Sequence, residues 1–331
     1  MSRIAVIGAG AWGTALALSL ARQQKHTMTL WAHSPDHAAE MVKTRENTRY
    51  LPSFALPESI AITSSLLDAV AQAEVLLSVT PSLNLPETIA AIAPALTAKH
   101  VFVSASKGLE DGTYRRMSEV VAAVSPVRFA VLGGPSFAKE VANALPTAAT
   151  LATTDSDLAQ ELQRDFSSET LRVYTNDDVI GVELGGALKN VIALASGVCA
   201  GLALGSNASA ALITRGMAEI TRLAIACGGR QETLAGLAGY GDLVLTCTGT
   251  LSRNRTVGVE LGRGRKLAEI LDSLNGKVAE GVRCTSAALG LAARYGIDMP
   301  ITQEMNGILH EGREPREAIR ALMTRPGRDE S

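Results

Sequence analysis

A single lysine interrupts a run of small and apolar residues near the middle of the chain. Lys189 lies within Gly181–Ala195 (GVELGGALKNVIALA), where Asn190 is its only close polar neighbour. A lysine is rarely buried without a partner, and one that reached the surface would have polar neighbours. Burial beside another cation such as Lys107 would bring the pKa of Lys189 toward neutrality, which suits a proton donor and acceptor. Lys189 is therefore the leading candidate for acid–base chemistry.

A carboxylate and a cluster of donors follow further along the chain. Asp242 comes after the flexible Gly239-Tyr-Gly241 lead, at the start of an apolar stretch, where it is either a helix cap or a group that orients a ligand. Ser252, Arg253, Asn254 and Arg255 form a compact set of donors, and arginine matches phosphate oxygens with a two-pronged fork. Arginines in a loop are more often solvated, but this predicted loop closely follows Asp242. We therefore expect it to bind an anionic group.

Two predicted strands of the first half end in further candidate residues. Lys107 follows the strand His100–Ser106, and Gly134 and Ser136 follow the strand Arg128–Gly133. The carboxyl ends of strands in an open parallel sheet face the ligand crevice, so both segments are expected to border it. The glycines expose backbone N–H groups. Capping of the next helix explains Ser136 as well as ligand binding does.

Three glycines near the N-terminus have the spacing of a dinucleotide-binding turn. Gly8, Gly10 and Gly13 lie between the apolar run Ile4–Ile7 and the helix formers Thr14–Arg22. Gly8 permits a sharp turn, Gly10 removes the Cβ that would block a pyrophosphate, and Gly13 allows close packing of helix and strand. The helix N-terminus then offers N–H groups to the phosphates. A signal peptide or membrane span is the competing interpretation, but the glycines would interrupt it.

Composition narrows the class of protein. The chain has 331 residues, 47% of them hydrophobic and 19% charged, with a net charge of -2. This predicts about two folded domains and no electrostatic footprint for nucleic acid or an anionic membrane. Four cysteines, without a C-x-x-C pair, favour reduced thiols in a cytoplasmic protein over disulfides or a metal site.

Apolar runs and helix-length segments alternate through the first half, which predicts an α/β fold with a doubly wound parallel sheet in residues 1–176. Residues 177–331 show no strand alternation and are predicted to be an all-helical domain.

A proline-containing loop is expected through Tyr50, Pro52 and Pro57. A turn is expected at Val278–Gly281, and its Glu280 is a weak candidate for contact with a cofactor ribose. The predicted strands are Ile4–Ile7, Thr27–Ala32, Ile60–Thr63, Glu74–Thr80, His100–Ser106, Arg128–Gly133, Ala148–Thr153 and Leu171–Tyr174.

The end of the second predicted strand bears on cofactor preference. Dinucleotide-binding folds often carry an acidic residue there for the ribose hydroxyls, and that residue disfavours a 2′-phosphate. Here the corresponding residues are His33 and Ser34. Arg45 and Arg49 are nearby candidates for a phosphate, although a solvated helix face explains them too. The preference between NADP and NAD stays open and leans to NADP.

Six motifs, in order along nearly the whole chain, resemble those of bacterial-type NAD(P)-dependent glycerol-3-phosphate dehydrogenases. They are GAGAWGTALA from Gly8, SKGLE from Ser106, GGPSFAKE from Gly133, GGALKN from Gly185, GDLVLTCT from Gly241 and SRNR from Ser252. The resemblance implies reversible reduction of dihydroxyacetone phosphate to sn-glycerol 3-phosphate for phospholipid synthesis. It also implies a Rossmann domain followed by a helical domain of the 6-phosphogluconate-dehydrogenase type, often in a homodimer.

The resemblance also assigns residues. Lys189 would be the catalytic acid and base. Position 11 departs from many relatives, having alanine in place of serine, which removes a side-chain donor near the phosphates. The residues implied to contact substrate are Lys107, Gly134, Ser136, Lys189, Asp242, Ser252, Arg253 and Asn254; those implied to contact the cofactor are Gly8, Gly10, Ala11, Trp12, Gly13, His33, Lys107, Ala138, Arg253, Val278 and Glu280.

Two alternatives remain at this stage. A different hydroxyacid-type dehydrogenase of the same architecture, such as a ketopantoate or hydroxyisobutyrate reductase, would keep the glycine turn and a helical lysine but lack the SRNR cluster. A non-catalytic NAD(P)-sensing module would keep the first domain and have no use for Lys189, Asp242 and Arg253. For the dehydrogenase, we expect the Lys189 ammonium to lie close to the nicotinamide.

Overall fold

The apolar runs of the first half assemble into one eight-stranded sheet in the computed structural model, which describes residues 2–274 and 279–327. Two further short strands form a separate hairpin. The strands are β1 (Arg3–Ile7), β2 (Thr27–Trp31), β3 (Glu46–Asn47), β4 (Leu51–Ala55), β5 (Ile60–Thr63), β6 (Val75–Ser78), β7 (Val101–Ser104), β8 (Arg128–Gly133), β9 (Thr147–Ala152) and β10 (Leu171–Asn176).

The order of strands across the sheet is β10-β9-β8-β7-β6-β1-β2-β5. The neighbouring strands pair in parallel from β5 through to β8, which confirms the predicted doubly wound fold class. The pair β8 and β9 is antiparallel, and β9 pairs in parallel with β10. The last two strands therefore run opposite to the rest, which makes the sheet mixed at one edge rather than parallel throughout.

Seven helices accompany the strands of the first half among the residues described. They are α1 (Ala11–Ala21), α2 (Pro35–Thr44), α3 (Leu66–Ala71), α4 (Leu85–Ile92), α5 (Met117–Ala122), α6 (Ala138–Ala142) and α7 (Ser156–Phe166). The β3–β4 hairpin occupies the segment that was predicted to be a loop. Pro52 lies within β4, and a proline is tolerated there because β4 pairs with β3 alone.

The sheet is covered on both faces, and alternate residues of each strand face opposite cores. Along β1, Ile4 and Val6 belong to one buried cluster, whereas Ala5 and Ile7 belong to the other. The first cluster includes side chains of α1, α6 and α7, and the second includes side chains of α3, α4 and α5. Two-sided burial explains why these strands read as continuous apolar runs.

The second half is helical, as predicted. Its helices are α8 (Val179–Gly201), α9 (Gly205–Ala226), α10 (Gln231–Ala235), α11 (Asp242–Thr248), α12 (Arg253–Gly262), α13 (Leu267–Ser273), α14 (Glu280–Tyr295), α15 (Pro300–His310) and α16 (Pro315–Met323). Contacts divide the chain into two compact units: Met1–Glu110 with Arg115–Glu183, and Asp111–Tyr114 with Leu184–Ser331. Strand β10 ends at Asn176, where we placed the domain boundary; that assignment stays a prediction.

By length and composition alone, helix α8 could span a membrane. However, 89% of its apolar 18-residue window is buried inside the protein. It packs closely against α12 through glycines. A Cβ on Gly197 would lie 2.1 Å from the Arg255 carbonyl oxygen, and one on Gly258 would lie 2.0 Å from that of Leu194. A core helix therefore accounts for the apolar composition of α8.

A buried carboxylate joins α9 to the first turn of α15. Glu219 is 1% exposed and accepts hydrogen bonds from the backbone N–H of Ile301 at 2.6 Å and of Thr302 at 3.3 Å. The first N–H groups of a helix have no partner within the helix, so Glu219 supplies a cap from another element. Burial nevertheless raises the pKa of Glu219 to about 7, although these bonds and Arg222 oppose the shift.

We predict that Glu219 makes stability fall as pH rises from about 5 to 8. Its pKa in the folded protein, about 7, exceeds the ordinary value of 4.5. Between pH 4.5 and 7 the folded state therefore binds more protons than the unfolded state does. The free energy of unfolding of the wild type should decrease over this interval by about 2 kcal/mol more than that of Glu219→Gln. Urea melts of both proteins at pH 5 and 8 measure the difference. Equal pH dependence in the two proteins would contradict the prediction.

Candidate active site

The predicted site residues fall into two groups, one in each compact unit. The first begins at the turn between β1 and α1, where the three glycines have distinct steric surroundings. Gly8 has φ +121°, a conformation that favours glycine. A Cβ on Gly13 would lie 1.9 Å from the Gly8 carbonyl oxygen, whereas a Cβ on Gly10 would meet nothing within 4 Å. Gly13 is thus required for packing, and Gly10 borders open space.

The residues after this turn fit a dinucleotide phosphate group. Helix α1 begins at Ala11, and its N-cap residue Gly10 provides no side-chain cap. Among the described residues, the indole Nε1 of Trp12 is one of the few buried side-chain polar atoms without a hydrogen-bond partner. Backbone N–H groups at a helix N-terminus bind phosphates well. The open space at Gly10 and the unpaired donor of Trp12 therefore fit the dinucleotide that the glycine spacing predicts.

The end of β2 carries no carboxylate. His33 is exposed and meets the edge of the Trp31 ring at 5.8 Å between centroids, while the hydroxyl of Ser34 accepts from the backbone N–H of His37 and caps α2. His33 and Ser34 themselves therefore carry no negative charge that would repel a 2′-phosphate.

Arg45 is not free to serve as a phosphate partner. Its guanidinium donates to the carbonyl oxygens of Leu56, Pro57 and Ile60, so it fastens the segment that follows the hairpin. The hypothesis that Arg45 binds a cofactor phosphate is therefore wrong. Arg49 is exposed and lies 5.2 Å from the centroid of the Tyr50 ring, which leaves it as the remaining candidate of the two.

Lys107, Gly134 and Ser136 come together at the carboxyl ends of β7 and β8. The Nζ atom of Lys107 donates to the Gly134 carbonyl oxygen at 3.2 Å, and the Ser136 hydroxyl donates to the same oxygen at 3.1 Å. Ser136 does not cap the next helix, because α6 starts at Ala138 and its N-cap residue is Phe137. The capping explanation of Ser136 is therefore wrong, and its hydroxyl instead braces the turn at Gly134.

The second group is centred on Lys189, a residue of α8 that is 6% exposed. Its Nζ atom lies 2.8 Å from Oδ1 of Asp242 and donates to the Thr246 hydroxyl at 2.6 Å. Asp242 is the first residue of α11, and its side chain is 2% exposed. The charge in contact with the ammonium is therefore a carboxylate of opposite sign, within the same compact unit.

Thr246 is a site residue that the sequence analysis did not assign. Its hydroxyl donates to the backbone carbonyl oxygen of Asp242 at 2.6 Å, so it presents its lone pairs to Lys189. Asp242 and Thr246 are both on α11, one turn apart, and this spacing brings their side chains to the same helix face. Had residues 242–248 been predicted as a helix, this spacing would have identified Thr246.

The SRNR motif is the start of a helix rather than a loop, which corrects the prediction. Ser252 is the N-cap residue of α12, with its hydroxyl accepting from the backbone N–H of Arg255 at 3.2 Å. Arg253 is the first helical residue and is exposed, while Asn254 is buried. A helix N-terminus with an exposed arginine in its first turn is well suited to bind a phosphate.

Asn254 connects the other elements of this unit. Its Nδ2 donates to Oδ1 of Asn190 at 2.9 Å, and its Oδ1 accepts from the backbone N–H of Gly281 at 3.0 Å. Glu280 is the first residue of α14, so the predicted turn at Glu280 is wrong. Val278, which the sequence analysis assigned to the cofactor, lies outside the described residues.

Two buried cysteines of this unit, Cys247 and Cys284, are unsuited to act as nucleophiles. Burial raises the pKa of Cys247 and of Cys284 to about 12, so both thiols stay protonated at neutral pH. Within residues 2–274 and 279–327, no cluster of histidine, cysteine and acidic side chains is arranged to hold a metal ion. The Lys189 ammonium, held by Asp242 and Thr246, is suited to proton transfer.

Comparison with known proteins agrees with this geometry. Residues 3–159 match the N-terminal model of NAD-dependent glycerol-3-phosphate dehydrogenase, and residues 178–320 match its C-terminal model. A glycerol-3-phosphate dehydrogenase [NAD(P)+] of Koribacter versatilis is 57% identical over 100% of this chain and 99% of its own. The enzyme of the same name from Acidobacterium capsulatum is 59% identical over 100% of both chains.

A solved structure supports the same family. The glycerol-3-phosphate dehydrogenase of Coxiella burnetii, determined by crystallography at 2.1 Å, superposes with a TM-score of 0.94 at 45% sequence identity. The match covers 98% of this chain and 99% of that one.

The surroundings of the glycines predict opposite consequences for two alanine substitutions. Gly10→Ala adds a methyl group in open space, so the melting temperature should stay within about 2 °C of wild type while NADPH affinity falls about tenfold or more. Gly13→Ala forces the β1–α1 turn apart and should lower the free energy of unfolding by about 1–3 kcal/mol. Thermal melts and NADPH fluorescence titrations measure both effects. An unchanged NADPH affinity in Gly10→Ala would contradict this assignment of the turn.

Proposed function

Because the chain belongs to the NAD-dependent glycerol-3-phosphate dehydrogenase family, we propose that it catalyses the reversible reduction of dihydroxyacetone phosphate to sn-glycerol 3-phosphate. The cofactor is NADPH or NADH, and the product supplies the backbone of phospholipids. The observation that carries the proposal is the buried contact of Lys189 with Asp242 and Thr246.

Lys189 is the acid and base of the reaction. When bound, the nicotinamide supplies the hydride that reduces the central carbonyl carbon. The Lys189 ammonium then gives a proton to the oxygen on that carbon, and in the reverse direction the neutral amine takes it back. Asp242 and Thr246 hold the Nζ atom in one position, at 2.8 and 2.6 Å. General acid catalysis of this kind contributes about 10²- to 10⁴-fold to the rate.

The phosphate end of the substrate is the part that positions it. Arg253 and the backbone N–H groups at the start of α12 would hold the phosphate, and Ser252 fixes the geometry of that turn. Binding energy from the non-reacting phosphate then orients the ketone. Asn254, with both amide atoms already bonded to Asn190 and Gly281, acts by holding this region together.

Residues of the first unit would hold the cofactor and complete the substrate contacts. The turn at Gly8, Gly10 and Gly13, with Ala11 and Trp12, would hold the pyrophosphate, and His33 would contact the adenosine ribose. We propose Lys107, Gly134 and Ser136 as further substrate contacts, with Lys107, Ala138, Arg253 and Glu280 also at the cofactor. We assign cofactor binding to residues 1–176 and substrate binding to residues 177–331.

Several wider properties belong to the same proposal. We propose that the protein is a cytoplasmic homodimer that binds no nucleic acid. The free cysteines support the cytoplasmic location, and the net charge of -2 supports the lack of nucleic-acid binding. The homodimer rests on the family resemblance alone. The two alternative functions, another hydroxyacid-type dehydrogenase and a non-catalytic NAD(P) sensor, gain no support from the comparisons.

Replacing the lysine should separate folding and cofactor binding from catalysis. Lys189→Ala is expected to fold and to bind NADPH, yet to lose about 10²- to 10⁴-fold in kcat. Steady-state assays with dihydroxyacetone phosphate, together with NADPH titrations, measure these quantities. Lys139→Ala, which removes a lysine of α6, serves as the matched control. A Lys189→Ala variant with wild-type kcat would move the proton-transfer role elsewhere, with Lys107 the first residue to test.

The substrate assignment predicts a strong dependence on the phosphate group. NADPH or NADH oxidation should proceed with dihydroxyacetone phosphate, and kcat/KM should fall about 10²-fold or more with dihydroxyacetone, which lacks the charge-assisted bonds. Because the residues that follow β2 are His33 and Ser34 rather than an acidic residue, we expect the lower KM for NADPH. Following absorbance with each cofactor and each ketone separates the two questions. Equal rates with both ketones would favour one of the alternative dehydrogenases.

A further inference from the structure

The β3–β4 hairpin and the residue Asn47 take no part in the mechanism derived above, yet the Asn47 side chain makes four hydrogen bonds beside the glycine turn. It is 0% exposed. Its Nδ2 donates to the Ala9 carbonyl oxygen at 2.9 Å and to the Thr14 hydroxyl at 2.7 Å. Its Oδ1 accepts from Nε2 of His37 at 3.0 Å and from the backbone N–H of Tyr50 at 3.2 Å.

These partners fix the orientation of the amide. The Ala9 carbonyl can only accept and the Tyr50 N–H can only donate, so the nitrogen of Asn47 must face the glycine turn and the oxygen must face Tyr50. It follows that His37 Nε2 carries a proton. An asparagine amide has two donor hydrogens and one oxygen with two lone pairs, so these four bonds use its full capacity.

The contact with Ala9 acts on the peptide that faces the open side of the turn. Ala9 lies between Gly8 and Gly10, and the carbonyl and N–H of a trans peptide point in opposite directions. Holding the Ala9 carbonyl against Asn47 therefore aims the N–H of Gly10 away from it. Gly10 is also the glycine whose missing Cβ leaves open space.

The other side of the amide reaches α2. His37 is buried in the first turn of this helix, where its backbone N–H is bonded to the cap residue Ser34, and its ring meets that of Tyr50 at 5.3 Å between centroids. Helix α2 begins at Pro35, two residues after His33. The Asn47 side chain thus bonds both to the β1–α1 turn and to α2, the two segments that would flank an adenosine diphosphate group.

We propose that Asn47 is a positioning residue for the cofactor, which sets the Ala9–Gly10 peptide toward the pyrophosphate and ties this turn to α2. The inference rests on the proposed use of this turn for NADPH or NADH. Because the pyrophosphate is common to the two cofactors, loss of Asn47 should weaken both by the same factor.

The experiment compares size-matched variants. Asn47→Leu removes all four bonds, while Asn47→Asp keeps the oxygen and removes the donors to Ala9 and Thr14. We expect the Kd of NADPH and of NADH to rise equally, by about 10- to 100-fold, in both variants. The KM of dihydroxyacetone phosphate and the kcat at saturating cofactor should stay within about threefold of wild type, as expected when uniform binding is lost.

Two further variants keep the test decisive if the Asn47 variants do not fold. Thr14→Val removes one of the bonds and should raise both Kd values about three- to tenfold, whereas Thr14→Ser retains the hydroxyl and should restore them. Gln163→Leu is the matched control, because it removes a side-chain bond to the Val173 carbonyl in the same unit and touches no residue of the turn. It should lower the melting temperature without changing either Kd.

The outcomes separate this inference from the proposed function. If the wild type binds neither NADPH nor NADH, both the proposed function and this inference are overturned. If the wild type binds NADPH or NADH while the folded Asn47 variants and Thr14→Val bind as tightly, Asn47 is only structural and the inference alone is overturned. A larger effect on NADPH than on NADH would also overturn it, because the contact would then lie at the 2′-phosphate.

Discussion

The buried ion pair between Lys189 and Asp242 is the interaction on which the proposed chemistry of the second unit depends. Taking two charges out of water is expensive, and their attraction compensates only when the geometry is good and further hydrogen bonds are present. Here Thr246 supplies such a bond to the ammonium at 2.6 Å. A pair of apolar residues would often be at least as stable, so the retained charges are better explained by chemistry than by folding.

Close helix packing is what allows this pair to form. A Cβ on Gly185, one turn before Lys189 on α8, would lie 2.6 Å from the Ala238 carbonyl oxygen, and one on Gly239 would lie 1.9 Å from that of Leu234. Gly185 lets the segment that leads into α11 approach α8, and Gly239 lets that segment pack against α10. Asp242, at the start of α11, then reaches the ammonium. The Gly-Tyr-Gly lead in the sequence is therefore a packing requirement as well as a flexible connection.

The sequence predicted elements well where the signal was local. The strand β1 and the turn after it follow from a short apolar run and three glycines, and the strand predicted at Ile60–Thr63 has the same bounds as β5. The β3–β4 hairpin was missed because its short strands contain Pro52 and pair only with each other. Arg45 was misassigned because its three carbonyl partners come from residues 56–60, which pattern analysis cannot bring together.

The site residues likewise divide into those with a local signal in the sequence and those that depend on contacts between distant segments. Lys189 stood out in the sequence because it is a charge in an apolar helix, but its contact with Thr246 depends on two helices meeting. Asn47 gave no signal, since a lone asparagine in a predicted loop is ordinary. Composition likewise cannot distinguish a membrane span from a core helix for α8. The structure distinguishes them, because 89% of the apolar window of α8 is buried inside the protein and Lys189, 6% exposed, is paired there with the carboxylate of Asp242.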